Sequence, residues 1–322
     1  MSSTPTFRPP AAPGERTVRR FGLGLAALGR PGYLNLGHRD DLGGDRSPAS
    51  LERRAHEVLD AAYELGIRYF DAARSYGRGE EFLGSWLRDR GPGDAVVGSK
   101  WGYVYTADWQ VDADPPEVKH HDAETFRRQL EETRANLGAS LGLYQIHSAT
   151  PESGVLENDA VLAELAGLRD SGVAIGLSVS GTSQAETIGR AVELGIFDAV
   201  QATWNLHERA AEAALAAAHL AGMAVIVKEA LANGRLSPRG DSAKLAAAGE
   251  SLGVTTDAVA LAAVLERPWA DIVLTGAASA ETLASNLGAL AVEWTSALGE
   301  ELLSLTEPSA SYWQTRSQLS WN

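Results

Sequence analysis

The 322-residue chain contains no cysteine at all. That absence excludes disulfides, Cys-ligated zinc and a cysteine nucleophile, while leaving the redox compartment open. Lysine is scarce as well: Lys100, Lys119, Lys228 and Lys244 are the only four, and the other basic residues are arginines. No run of 18 apolar residues occurs, so no segment reads as a membrane-spanning helix. Residues 1–20 lack the apolar stretch of a signal peptide, and a cytoplasmic protein is expected. With a formal charge of −14, the surface lacks the clustered cations that nucleic acid or an anionic membrane requires. Neither is expected as a partner.

An apolar content of 44% over this length is enough to bury a large core, in one large α/β domain or two smaller ones. After a polar arm over 1–18, expected to be flexible, short apolar runs alternate with amphipathic stretches. Strands are expected near 21–27, 67–71, 95–99, 141–146, 173–179, 198–201, 223–228 and 271–275. Helices are expected near 50–66, 78–90, 122–138, 158–171, 183–195, 207–221, 255–266 and 280–290. Asp122 before one helix and glycines after several supply the start and stop signals. Such alternation predicts a parallel sheet, and eight units close naturally into a single-domain (β/α)8 TIM barrel over 19–307. An open doubly wound sheet is the alternative, but Gly22, Gly24 and Gly29 are wrongly spaced for the dinucleotide fingerprint. Long loops over 31–49 and 101–121, a helical insertion over 238–253 and an aromatic tail over 308–322 interrupt the pattern. The tail is expected to pack near the barrel mouth.

Asp71, Tyr76, Lys100 and His147 each follow or end an apolar strand-like run. A parallel sheet gathers strand ends of one polarity on one face, so the four are expected to share a catalytic pocket. A tyrosine with an ordinary pKa of about 10 needs a neighbouring cation to favour its phenolate. Lys100 offers that cation, Asp71 would compensate its burial, and His147 would orient a substrate oxygen. Taken singly, Asp71 reads equally well as a cap, Tyr76 as a rim aromatic and His147 as a core histidine. A metal-dependent barrel enzyme using His120, His121 and Asp122 is a further alternative. Adjacent loop histidines lack the spacing of most metal sites, and no metal is expected.

The stretch from Phe70 to Gly84, with Val97 to Lys100 and Leu143 to His147, resembles the aldo-keto reductase family over residues 20–307. The resemblance implies interconversion of carbonyls and alcohols with a nicotinamide cofactor, Tyr76 acting as the general acid. It implies that Gly24, Ser178 and Gln201 face the cofactor, that Trp204 stacks on the nicotinamide, and that Lys228, Glu229, Leu231 and Gly234 form the phosphate loop. Gly276, Ala277, Ala278, Thr282 and Asn286 would hold the adenosine end. Val179 and the acidic Glu229 depart from the family pattern. Cations are missing at Gly276, Ala278 and Thr282, so NADP(H) is favoured on family habit with NAD(H) also usable. Trp101, Tyr103 and Trp313 are candidates for a substrate pocket, with Tyr105, Trp109 and Tyr312 completing an aromatic wall. A small-molecule carbonyl or alcohol is the expected partner, with oligomeric state open. A catalytically weak regulatory or scaffold subunit of the same family is the competing reading.

Overall fold

The computed structural model describes residues 7–12 and 14–322. In chain order the strands are β1 (Phe21–Gly24), β2 (Tyr69–Asp71), β3 (Val96–Trp101), β4 (Tyr103–Tyr105), β5 (Glu117–Lys119), β6 (Leu141–Ala149), β7 (Ala174–Val179), β8 (Ala199–Thr203), β9 (Ala224–Lys228) and β10 (Ile272–Thr275). Eight of them close into a barrel in the order β1-β10-β9-β8-β7-β6-β3-β2. Every pairing around that ring is parallel. With helices between the strands, this is the (β/α)8 TIM barrel expected from the alternation.

Helices occupy the expected places, for example Pro48–Glu64, Gly79–Arg90, Ala123–Leu137 and Thr256–Leu265. The Asp122 carboxylate accepts the backbone N–H of Thr125 at 2.8 Å and starts Ala123–Leu137, a side-chain cap that satisfies an otherwise orphaned donor. The helix expected over 207–221 starts only at Glu212. The Asn205 Oδ1 accepts the backbone N–H of both His207 and Glu208 at 2.9 Å, which holds this stretch in a turn that competes with helix.

In the arm over 1–18, of which residues 1–6 and 13 lie outside the described residues, one side chain is anchored to the barrel. Phe7 is buried against Tyr69, ring centroids 5.7 Å apart, where Leu143, Ala199, Ala224, Ile226 and Ile272 form the lower barrel core. An apolar ring there covers surface that an open barrel bottom would leave wet. Just after the arm, the Arg20 guanidinium donates to the carbonyls of Leu265 and Ala270 at 2.8 and 2.6 Å. It thereby satisfies the last carbonyl of Thr256–Leu265 and one in the loop that leads to β10.

The long insertions gather at the opposite mouth. The loop over 102–121 folds into the antiparallel β4–β5 hairpin, and the tail forms helix Ser309–Ser317. Asn322 then pairs through its backbone with Tyr33 of the first loop. No single helix among the described residues is long and apolar enough to cross a membrane.

Candidate active site

Strand geometry brings together three of the four strand-end residues around a cavity and places the fourth behind them. Asp71, Tyr76 and His147 line a cavity of about 500 Å³ at the barrel mouth. Lys100 lies fully buried below, its ammonium ion-paired with Asp71 and donating to the Ala72 carbonyl at 3.0 Å and to the Tyr76 hydroxyl at 3.3 Å. Tyr76 sits on a turn closed by Gly77 at φ 57°. A Cβ at Gly77 would stand 2.5 Å from the Gly29 carbonyl oxygen, so only glycine fits a left-handed turn packed this closely.

Period-two alternation explains who supports Asp71. Tyr69 lies two residues earlier on β2, and Gln145 two residues before His147 on β6, so each shares the inward face of its strand. The Asp71 Oδ1 accepts from the Tyr69 hydroxyl at 3.1 Å and from the amide nitrogens of Gln201 and Gln145 at 3.0 and 3.4 Å. A buried carboxylate with this many donors, and the ammonium on its other oxygen, is fully satisfied. Tyr69 and Gln145 were not anticipated from the sequence, although counting back by two from Asp71 and His147 finds both.

The electrostatics differ from the expected phenolate. Burial pushes the Tyr76 phenol well above its ordinary value, Asp71 adds to the shift, and Arg30 opposes it. The Asp71 carboxylate offsets the Lys100 ammonium, so desolvation dominates and Tyr76 is a protonated phenol in this state. Burial also holds the His147 imidazole well below its ordinary value, with the cations of Lys100, Lys228 and Arg30 adding to the effect. His147 is thus neutral, its ring edge-on to Tyr76 at 5.6 Å and to Tyr103 at 4.9 Å.

From this floor the cavity runs past Lys228, Glu229, Leu231 and Gly234 to a wall of Gly276, Ala277, Ala278, Thr282 and Asn286, with Gly24 and Gln201 also on its lining. Burial lowers the Lys228 ammonium to about 8. Its hydrogen bonds go to the hydroxyls of Thr203 at 2.9 Å and Ser180 at 3.4 Å. Burial alone would raise the Glu229 carboxyl, but Arg316 and Lys228 outweigh it and hold the group at about 2.

Several candidates point elsewhere. Trp204 does not reach the cavity. Gln201 and Thr203 face inward, so the next residue faces out, where the Trp204 ring meets Trp269 at 5.7 Å and its Nε1 donates to Glu212 at 3.3 Å. Trp101 follows inward-facing Lys100 and is likewise outward, edge-on to Phe126 at 5.0 Å. Trp313 packs beside Tyr312 at 5.4 Å rather than on the lining, and the Tyr312 hydroxyl accepts from the Asn205 amide at 3.0 Å. The Ser178 hydroxyl is taken by the backbone N–H of Ser148 at 2.8 Å, and at this end of the cavity the lining carries Ser148 and Ser180 in its place. Of the expected aromatic wall, Tyr103 remains, joined by Tyr33 and Trp321. His121 braces the site, its Nε2 donating to the His147 carbonyl at 2.9 Å.

Comparisons with known proteins agree with this architecture. A holo-form aldo-keto reductase structure from Bacillus halodurans superposes with a TM-score of 0.69 over 92% of this chain and 95% of that one, at 21% identity. Pyridoxal 4-dehydrogenase of Microbacterium luteolum is 40% identical over 94 residues, 29% of this chain and 25% of that protein. An aldo-keto reductase of Strobilurus tenacellus is 29% identical over 157 residues, 47% of this chain and 40% of its own length. The chain thus spans less than half the length of these curated relatives. The sequence pattern of the aldo/keto reductase family matches residues 41–302, and with the closed parallel barrel around it the chain belongs to the aldo/keto reductase family.

Proposed function

We propose that the protein is a nicotinamide-dependent oxidoreductase that interconverts a small carbonyl compound and its alcohol, with Tyr76 as general acid in reduction and general base in oxidation. The observation that carries this reading is the Tyr76 hydroxyl 3.3 Å from the buried Lys100 ammonium, beside neutral His147 at the floor of a cavity. A phenol that stays protonated can give its proton to a carbonyl oxygen only as that oxygen gains negative charge. Lys100 then faces the phenolate left behind, and Asp71 keeps the ammonium compensated before and after the transfer. His147 donates a second hydrogen bond to the same oxygen and fixes its position.

The residues that line the cavity suit a dinucleotide. Lys228 presents a cation whose hydrogen bonds end on hydroxyls, suited to a pyrophosphate, and the nearby Glu229 charge is met by Arg316. Lys228, Leu231 and Gly234 would hold the middle of the cofactor, and Gly276, Ala277, Ala278, Thr282 and Asn286 its adenosine end. Gln201 would meet the nicotinamide amide through its Oε1, since its nitrogen donates to Asp71. When bound, the cofactor supplies or accepts the hydride. NADP(H) is favoured on the family's habit, and NAD(H) is usable because the cation on the wall near the first loop, Arg239, is already ion-paired with Asp41. The tail over 308–322 is part of the working barrel as its cover.

The test is a panel of aldehydes and ketones with reduced cofactor. Carbonyl-dependent loss of the reduced-nicotinamide absorbance is expected, and no turnover with any carbonyl or alcohol in either direction would overturn the reading.

A further inference from the structure

Arg30 is a buried cation that the proton-transfer chemistry does not require. It lies on the loop after β1, 2% exposed, and lines the cavity together with Tyr76 and His147. Its guanidinium carbon stands 4.5 Å from the Trp321 ring centroid, 5.0 Å from Tyr33 and 5.3 Å from Tyr76. Three electron-rich faces stabilise a cation and fix its plane without using its N–H groups. One nitrogen is committed: Nη1 donates to the Ser75 carbonyl and to the Glu117 carboxylate, both at 3.0 Å. Nε is buried without a partner, and Nη2 makes no hydrogen bond to any of the described residues.

Nη2 is not among the buried unpaired atoms, so it is the guanidinium nitrogen left for a ligand in the cavity that Arg30 lines. A cage that holds Nη2 in this way beside the reacting hydroxyl suits a ligand that accepts its N–H bonds. Lys228, by contrast, lies between Ser180 and Thr203 on the part of the cavity assigned above to the cofactor. Resting on the proposed carbonyl chemistry, we infer that Arg30 selects carbonyl substrates that carry a carboxylate, holding the acid group while Tyr76 and His147 face the carbonyl. A planar guanidinium matches a carboxylate in shape and charge, and the contact excludes water inside the aromatic cage. Trp321 belongs to the segment after helix Ser309–Ser317, which thus supplies one face of this subsite.

Two matched pairs test the inference: succinic semialdehyde against butanal, and 4-carboxybenzaldehyde against 4-methylbenzaldehyde. The wild type should prefer the carboxylated member by about tenfold or more in kcat/KM, the range of a charge-assisted hydrogen bond. In Arg30→Met the ratio should fall toward one, and Arg30→Lys should restore part of it. Equal efficiencies in the wild type, or a ratio that persists in Arg30→Met, would overturn the inference. A second arm needs no turnover: benzoate should bind the wild type more tightly than benzamide by calorimetry, and Arg30→Met should remove the difference. Arg30-dependent benzoate binding without turnover on any aldehyde would sink the reductase reading and keep the anion site. Neither binding nor preference would sink the anion site alone.

Discussion

Arg316 grips Glu229 through two of its nitrogens, with Nε 3.0 Å from each carboxylate oxygen and Nη2 on Oε1 as well. The pair joins the C-terminal helix to the loop after β9 across 87 residues of sequence. It accounts for an acidic side chain in a cavity proposed to take a polyanion, because the charge is cancelled where it stands. Glu229 also holds a left-handed backbone at φ 53°, a conformation that non-glycine residues keep only under tertiary restraint.

Arg316→Met should therefore leave an uncompensated carboxylate in the cavity. Stability should fall by roughly 1–3 kcal/mol, the usual penalty for a buried group left unpaired. Cofactor should bind about tenfold or more weakly, as a like charge then faces the pyrophosphate. Adding Glu229→Gln should recover most of both losses, measured by denaturant unfolding and calorimetric titration. Additive losses in the double variant would show that the two side chains are not coupled.

The same pair fixes an acid limit. The Glu229 carboxyl lies at about 2 in the folded protein against an ordinary 4.5. The unfolded chain thus binds this proton more readily, and the stabilisation is present above 4.5 and lost as pH falls toward 2. Wild-type melting temperature should drop more steeply over that window than that of Glu229→Gln. Parallel curves would contradict the assignment.

Lys228 sets the opposite, alkaline limit. With its ammonium lowered to about 8, it loses charge as pH rises from 7 to 9, and the cation facing the cofactor disappears with it. Cofactor affinity should weaken through that range in the wild type and stay nearly flat in Lys228→Met. A flat wild-type profile would remove Lys228 from the cofactor site.

The barrel was legible because each strand is a short apolar run and each helix has its own period and caps, signals that need no long-range information. Asp71, Tyr76, Lys100 and His147 were legible as strand ends for the same reason. The misplaced aromatics trace to parity: if Gln201 and Lys100 point inward, Trp204 and Trp101 point out. That inference was available in the sequence. The pairs Arg316–Glu229 and Arg30–Trp321 were not, since each joins a loop residue to the tail far away in the chain. The β4–β5 hairpin was hidden by the Pro- and Asp-rich stretch between its short strands.

Cofactor choice should be lenient. Gly276, Ala278 and Thr282 bring no cation to the cavity wall, Arg239 is paired with Asp41, and Arg235 with Glu307. NADPH should be preferred over NADH by no more than about one to two orders of magnitude, ~1.4–2.7 kcal/mol. Calorimetric titration with both decides it, and a preference above about a thousandfold, ~4 kcal/mol, would mean that Arg239 leaves Asp41 for the 2′-phosphate.

The most direct test of the account is Tyr76→Phe, assayed for carbonyl reduction and for cofactor binding on the same preparation. The variant should bind cofactor as the wild type does yet lose about 10²–10⁴-fold in kcat, the range of a general acid's contribution. Near wild-type turnover in Tyr76→Phe would show that the reacting proton comes from another group and would contradict the mechanism.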